Sequence, residues 1–320
     1  MSGSLAFDSL PTALNSIEHP GTIETDPARV VKLTRDYFTN LYKRSPPLDK
    51  PKLWMSTPLV LEVKDRVKQD PFTWPVMATL ADFKVMLQKG NLCPSPGPDD
   101  LHNYSVMNMS FPGNLKDTHL TYFHKRGIKT ELTNWRGLLI SNFLANSPMT
   151  WLDFKLSPYA AHHGMIPETQ VATQPGVQTR DLMSFVSGLK TWAHRNKSTI
   201  YLLKRDQMKG FDYLSPHGFY DACTTYGLPA TICDLDCAAQ PSTKFFPQMA
   251  FGIADPITVK GVTKQGGPLS PLKSTLTTSL GHRYLDDIAK TDQDSVIVRS
   301  CSSMAGDPHQ PVDQLSLVRE

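Results

Sequence analysis

Thr199-Ile200-Tyr201-Leu202-Leu203-Lys204-Arg205-Asp206-Gln207-Met208-Lys209-Gly210-Phe211-Asp212 is the stretch on which the fold turns. Its first five residues are β-branched, aromatic or aliphatic, a run of strand length that packs well on a pleated surface. The run ends in Lys204-Arg205-Asp206, and a glycine-containing turn follows. A carboxylate at the end of a buried strand, just before a turn, is held at a sheet edge where a metal ion can reach it. Taken alone, such an aspartate is more commonly a turn former or a helix cap. Here Lys209, Phe211 and Asp212 follow it three, five and six residues on.

Working outward, Leu182, Phe185, Val186, Leu189, Trp192 and Ala193 recur at helical spacing and predict a helix from about Thr179 to Arg195. Between Arg180 and Lys209 there are seven basic and two acidic residues, a local basic surface able to track phosphates. A solvated charged face would look the same in composition. Downstream, Ser215-Pro216 opens another helix, which Gly227 and Pro229 close. Near the start, Asp26 caps a helix with Pro27 in its first turn and Val30, Tyr37, Phe38 and Leu41 on one face; Ser45-Pro46-Pro47 stops it. Residues 1–25 read as a linker, and Leu48 to Pro75 as a proline-interrupted stretch. A second amphipathic helix carries Leu80, Phe83, Met86 and Leu87 and closes at Gly90. A short strand is expected at Leu120-Thr121-Tyr122-Phe123, followed by the apolar run NWRGLLISNFLAN. The tail DSVIVRS and CSSMAGDPHQPVDQ reads as one short strand and a polar loop.

A chain of 320 residues is long enough for about two domains with a core that needs no disulfides. Twenty-six prolines exclude a long coiled coil, and no apolar run approaches the roughly 18 residues of a membrane span. The opening MSGSLAFDSL lacks the basic flank and apolar core of a signal peptide, which points to an intracellular protein of nucleus or cytoplasm. The five cysteines, Cys93, Cys223, Cys233, Cys237 and Cys301, have no CxxC spacing, so free thiols are expected rather than a disulfide framework or a structural zinc site. His162 and His163 have no acid or cysteine at ligand spacing and read as surface or loop residues. The net charge of +3 alone does not point to nucleic acid.

DQMKGFD, from Asp206 to Asp212, resembles the first palm motif of reverse transcriptases from non-LTR (LINE-type) retrotransposons, commonly D-L-S-K-A-F-D, and matches it at four of seven positions. GVTKQGGPLSPL, Gly261 to Leu272, resembles the glycine- and proline-rich motif before that family's next palm helix, and QGGPLSP is the most specific string in the chain. Its physics is sensible: Gly266-Gly267 let backbone approach a bound base pair and nucleotide, and Ser270-Pro271 open the following helix. Three further segments resemble family motifs in the required order. Gly97-Pro98-Asp99-Asp100 is similar to the G-P-D-G entry motif, and LTNWRGLLISNFLAN to the fingers motif N-Y-R-P-I-S-L-L, keeping Asn134 and Arg136 but replacing its proline by Gly137. TQVATQPGVQTRDLMSFVSGL is similar to the template-contacting glycine turn and helix. The likeness spans about Leu80 to Thr275 and is most like retroelements of fungal type.

What the resemblance implies is an α+β fold, the fingers and partial palm of a right-hand polymerase (the reverse transcriptase fold), without a thumb. It divides the chain into an N-terminal linker and helix (1–75), a fingers-like region (76–198) and a partial palm (199–320). The implied reaction is RNA-directed transfer of a deoxynucleotide onto a primer 3′-OH, assisted by two Mg²⁺ ions, with Mn²⁺ as a substitute. In that scheme Asp206 binds metal. Phe211 excludes a ribose 2′-OH, Arg136 meets the incoming triphosphate, and Gln265 with Gly266 borders the nucleotide and template base. Asp212 is structural. The partners are RNA template, DNA primer and dNTP, and nothing signals an oligomer.

The family supplies a further acidic pair on a hairpin written Y/F-x-D-D. Tyr284-Leu285-Asp286-Asp287 has the letters but not the place, since only 19 residues separate Gln265 from Tyr284. Leu272, Leu276, Leu280, Tyr284 and Ile288 also recur every four residues, which predicts a helix through Asp286-Asp287 rather than a hairpin. The expectation is therefore a fragment that stops before the acidic hairpin and is inactive alone, with unpaired strand edges where the hairpin would sit. The alternative is a non-catalytic nucleic-acid-binding remnant of a retroelement.

Overall fold

Eight helices and ten strands are seen in a computed structural model that describes residues 11–16, 21–42, 52–73, 79–89, 117–167, 170, 173–174, 176–206, 210–239, 243–259, 263–290, 295–296 and 313–319. The protein is mixed α and β, with one core built on a sheet and a second built between helices. The predicted Gly97-Pro98-Asp99-Asp100 motif, the stops at Ser45-Pro46-Pro47 and Gly90, and Cys93 and Cys301 lie outside the described residues.

The sheet core begins with β1 (Leu14–Asn15), β2 (Ile23–Glu24) and α1 (Pro27–Leu41). Helix α1 starts as its sequence dictates: Asp26 Oδ2 accepts a hydrogen bond from Arg29 N at 3.0 Å, and Pro27 occupies the first turn. Its buried residues Val30, Thr34 and Phe38 face a five-stranded mixed sheet. That sheet contains β3 (Thr118–His124), β4 (Trp135–Ser141), β6 (Thr243–Met249), β7 (Gly252–Ile253) and β8 (Ile257–Val259) in the order β4-β3-β6-β7, with β8 also on β6. β3 and β4 pair antiparallel from Thr118↔Ser141 to His124↔Trp135, whereas β3 and β6 run parallel. In β4 buried and half-buried residues alternate strictly, the period-two signature of a strand with one face inward. Phe38 packs on Tyr122 at 4.6 Å between ring centroids, and Leu120, Trp135 and Phe245 complete the centre.

The helical core gathers α2 (Pro58–Gln69), α4 (Phe143–His162), α6 (Pro216–Tyr226), α7 (Ala230–Ala239) and α8 (Ser270–Lys290). Leu272, Leu276 and Leu280 of α8 meet Phe219, Ala222 and Tyr226 of α6, Val60, Val63 and Val67 of α2, and Leu152, Leu156 and Ala160 of α4. One of these helices corrects the sequence reading, and a second lies largely where no element was read. The proline-interrupted stretch from Leu48 to Pro75 contains α2: Pro58 is its first residue, and the valines at 60, 63 and 67 form a stripe that only packing makes decisive. Helix α4 carries Pro148 and Pro158 inside it, two residues that ordinarily interrupt a helix, yet the burial of Trp151, Leu152, Leu156 and Ala160 holds it continuous. His163, expected at the surface, is the buried C-cap of α4, with Nε2 3.1 Å from Asp70 Oδ2. Helices α3 (Leu80–Lys89) and α5 (Thr179–Arg195) lie where predicted.

A third, three-stranded antiparallel sheet contains β5 (Ile200–Asp206), β9 (Ser295–Val296) and β10 (Asp313–Arg319), with β10 in the middle. The short strand read at DSVIVRS is β9, whereas Asp313-Gln314, read as the end of a polar loop, begins β10. β10 pairs with β5 along its full length, from Ile200↔Arg319 to Asp206↔Asp313, and β5 stands at the edge of this sheet. Gln314-Leu315-Ser316-Leu317 alternates polar and apolar residues, a strand pattern that the preceding polar segment disguises. Tyr284-Leu285-Asp286-Asp287 is helical, within α8, as the four-residue periodicity requires.

Candidate functional site

The predicted site residues fall into two groups, each built on a different sheet. The first forms where the turn before α8 meets β4. Gln265 O accepts a hydrogen bond from Leu139 N at 2.9 Å, so the turn docks on the strand by backbone bonding. The Gln265 amide nitrogen donates to Gly137 O at 3.0 Å, and its oxygen accepts from Arg136 Nε at 3.2 Å. Arg136, Gln265 and Gly266 are thus brought together, and the guanidinium orientation is fixed through the neutral amide.

Glycine is required at two of these positions. Gly266 has φ +101°, and a Cβ there would stand 2.9 Å from Leu139 O and 3.1 Å from Leu138 Cδ1. At Gly137, where the fingers motif has proline, a Cβ would lie 2.7 Å from Tyr42 Oη and 2.8 Å from Leu120 Cδ1. This departure is accounted for by the close approach of α1 and β3. The turn closes on itself, since Gly267 N donates to Lys264 O at 3.0 Å and Ser270 Oγ donates to the same carbonyl at 2.6 Å. Ser270-Pro271 then open α8 as expected.

Behind this turn lies a buried ion pair that sequence patterning does not show. Lys273 Nζ, in the first turn of α8, bonds Asp236 Oδ1 of α7, both side chains being almost wholly buried. Tyr220 Oη donates to Asp236 Oδ2 at 2.8 Å, and burial together with the Asp236 charge pushes the phenol far above its ordinary range. Lys273 Nζ also stands 5.6 Å from the Phe219 ring centroid. A small cleft of about 50 Å³ opens beside the pair, bordered by Asn146, Asp236, Lys264, Gly267, Ser270 and Lys273.

The second group stands at the end of the three-stranded sheet. Asp206, the last residue of β5, is the register partner of Asp313, the first residue of β10. Opposed residues on antiparallel strands lie on one sheet face with Cα atoms about 4.5–5.5 Å apart. Phe211 follows in the turn 210–213 and takes no part in the bonds that join Arg136, Gln265 and Gly266. Asp212 is buried. Asp313 lies in the segment read from sequence as polar loop, and its one signal is the alternation that follows it. Among the described residues no group of three or more His, Cys, Asp or Glu could hold a metal ion. The backbone register places these two aspartates opposite each other.

No protein-family model matches the chain, and no curated protein matches it. Among solved structures it is similar to apo telomerase from Candida tropicalis truncated from its C-terminal domain, at 12% identity and a TM-score of 0.41. The alignment covers 65% of this chain and 44% of that one, so the chain spans less than half the length of that structure. No helix among the described residues is long and apolar enough to cross a membrane.

Proposed function

We propose that the chain is the nucleotide-transfer part of an RNA-directed DNA polymerase of the non-LTR retrotransposon type, with β5, β9 and β10 as palm strands and the five-stranded sheet on the fingers side. One observation carries this reading: Asp206, the acid of the DQMKGFD motif, is directly opposite Asp313 on the neighbouring strand. In family terms, Val312-Asp313-Gln314 keeps the first acid of the Y/F-x-D-D pattern and replaces the second by an amide.

Two carboxylates from facing strand ends suit Mg²⁺, which is usually bound by one or two carboxylates plus substrate phosphates. When bound, such ions stabilise the attacking and leaving oxygens of an in-line displacement. The protein side chains do the rest. Arg136, held by Gln265, offers a fixed cation to the triphosphate. Phe211, five residues beyond the metal-binding acid, stands as the gate against a ribose 2′-OH.

The test is extension of a DNA primer on an RNA template by the purified chain with Mg²⁺ or Mn²⁺. The sequence alone leads to the expectation of an inactive fragment; with Asp313 opposite Asp206, addition of dNTP is proposed instead, and Asp206→Asn is expected to lower it by about 100-fold or more, the scale at which lost transition-state electrostatics is felt. Addition that persists at the unmodified rate in Asp206→Asn would sink the assignment.

A second reading, nucleic-acid binding without catalysis, is favoured by α5. None of its residues is buried, and Arg180, Lys190 and Arg195 are exposed together with Phe185 and Trp192. Exposed cations with interleaved aromatic rings suit single strands, by phosphate contact and base stacking. Binding to a primer–template that falls steeply with salt, without nucleotide addition, would favour this reading. No binding at about 50 mM salt would discard it.

A further inference from the structure

Ser270 carries a hydroxyl that the start of a helix does not account for. It is the first residue of α8, so the position whose side chain ordinarily caps a helix falls to Leu269. The buried Ser270 Oγ turns back instead and donates to Lys264 O at 2.6 Å. The same carbonyl accepts from Gly267 N at 3.0 Å, and Ser270 N donates to Gly267 O at 3.1 Å. Gly267 makes room for this arrangement, since a Cβ there would stand 2.9 Å from Ser270 Oγ and 3.3 Å from Lys264 O. Its φ is not left-handed, so the second glycine of QGGPLSP answers to the close approach of the serine alone.

Both ends of the Ser270–Lys264 bond are fixed. On the helix side, Lys273 N donates to Leu269 O at 3.0 Å, Lys273 Nζ bonds Asp236 Oδ1, and Leu269 and Leu272 are buried in the helical core. On the turn side, the residue after Lys264 is Gln265, whose O accepts from Leu139 N at 2.9 Å and whose amide joins Gly137 O and Arg136 Nε. A continuous line of hydrogen bonds therefore runs from the helical core, through Ser270 and the turn, to the Arg136 guanidinium on β4. Without Oγ the side-chain tie from α8 to Lys264 O is lost, while the bond from Gly267, which lies within the turn itself, remains.

We propose that Ser270 is a positioning residue: by holding Lys264 O it sets Gln265 against β4 and, through Gln265, the direction in which Arg136 presents its cation to the triphosphate of an incoming dNTP. The identity of that ligand rests on the polymerase reading above; the line of bonds from Ser270 to Arg136 does not. Ser270 itself touches neither substrate nor metal in this scheme. A serine whose role ended with the start of α8 would contribute to stability alone. One that acts through Gln265 changes nucleotide affinity, and its effect is not independent of the effect of Gln265.

The experiment measures primer extension and amide hydrogen exchange on the full chain. Ser270→Ala is expected to raise the KM for dNTP about tenfold with kcat within about twofold, because a misdirected Arg136 weakens ground-state and transition-state binding alike. Gln265→Ala is expected to do the same, and the double variant to be no worse than either. Ser270→Thr, which keeps the oxygen, is expected to restore the unmodified KM. Hydrogen exchange needs no activity: Leu139 N–H, which faces the turn, is expected to exchange about tenfold or more faster in Ser270→Ala, whereas the amides of Leu138 and Ile140, which alternate toward β3, keep their rates. A chain that adds no nucleotide sinks the polymerase reading and leaves the exchange at Leu139 to decide the role of Ser270. Exchange at Leu139 that is unchanged in Ser270→Ala, or that rises at all three amides alike, overturns the proposal. So do KM effects of Ser270→Ala and Gln265→Ala that multiply in the double variant.

Discussion

Replacing Gly266 by alanine tests whether the turn before α8 is held against β4 as tightly as the geometry states. Two costs add. The backbone at φ +101° is one that L side chains rarely adopt, at about 1–3 kcal/mol. The new Cβ would also lie 2.9 Å from Leu139 O, a backbone atom that cannot swing aside, and 3.1 Å from Leu138 Cδ1, at about 1–3 kcal/mol for overpacking. If the turn retreats instead, it gives up the Leu139–Gln265 bond and the Gln265–Arg136 bond, at about 1 kcal/mol each. Either route predicts a loss of about 2–5 kcal/mol, read by urea unfolding with an unchanged m-value. Gly252→Ala is the control, since its φ is +120° but nothing stands within 4 Å of an added Cβ. A Gly266→Ala variant no less stable than Gly252→Ala would refute the close docking of the turn.

Breaking the Asp236–Lys273 pair singly, by Lys273→Met, should cost about 3–5 kcal/mol because it strands a buried carboxylate. The double variant with Asp236→Leu should recover most of that loss in the same denaturation assay. Asp26→Ala should destabilise by about 1 kcal/mol through loss of the α1 cap, visible as a lower urea midpoint. Leu156→Ala, at a fully buried position in α4, should cost about 2–5 kcal/mol by the same measure. The hydrogen bond from Lys155, with those from Thr79, holds the Asp82 carboxyl well below its usual range. Its stabilising contribution is therefore present above the unfolded value near about pH 4 and is lost as pH falls further. Asp82→Asn should flatten the acid limb of the stability profile, and an unchanged limb would contradict the pairing.

How much was legible beforehand follows from which forces are local. Asp26-Pro27, Ser215-Pro216 and Gly227 announce helix ends through backbone chemistry that needs no partner, and α1 and α6 begin or end there. The stripe from Leu182 to Ala193 likewise marks α5, although the helix buries none of its residues. Helix α4 was hidden because Pro148 and Pro158 argue locally against it, and only core burial outweighs them. β10 was hidden by the polar segment before it and because its partner β5 lies more than 100 residues away in sequence. In the candidate site, Arg136, Gln265 and Gly266 were found by motif, and their mutual bonding follows from β4 meeting the turn. Asp313 and the Asp236–Lys273 pair depend on long-range register and packing, which no local pattern encodes.

Asp206 and Asp313 are register partners across β5 and β10, and the proposal is that together they hold a divalent cation. Titration of Mn²⁺ into the full chain, followed by electron paramagnetic resonance of the free ion, tests it directly. The account predicts one site that Asp206→Asn and Asp313→Asn each abolish, with the double variant no worse than either. Binding that Asp206→Asn removes and Asp313→Asn leaves intact would contradict the shared site.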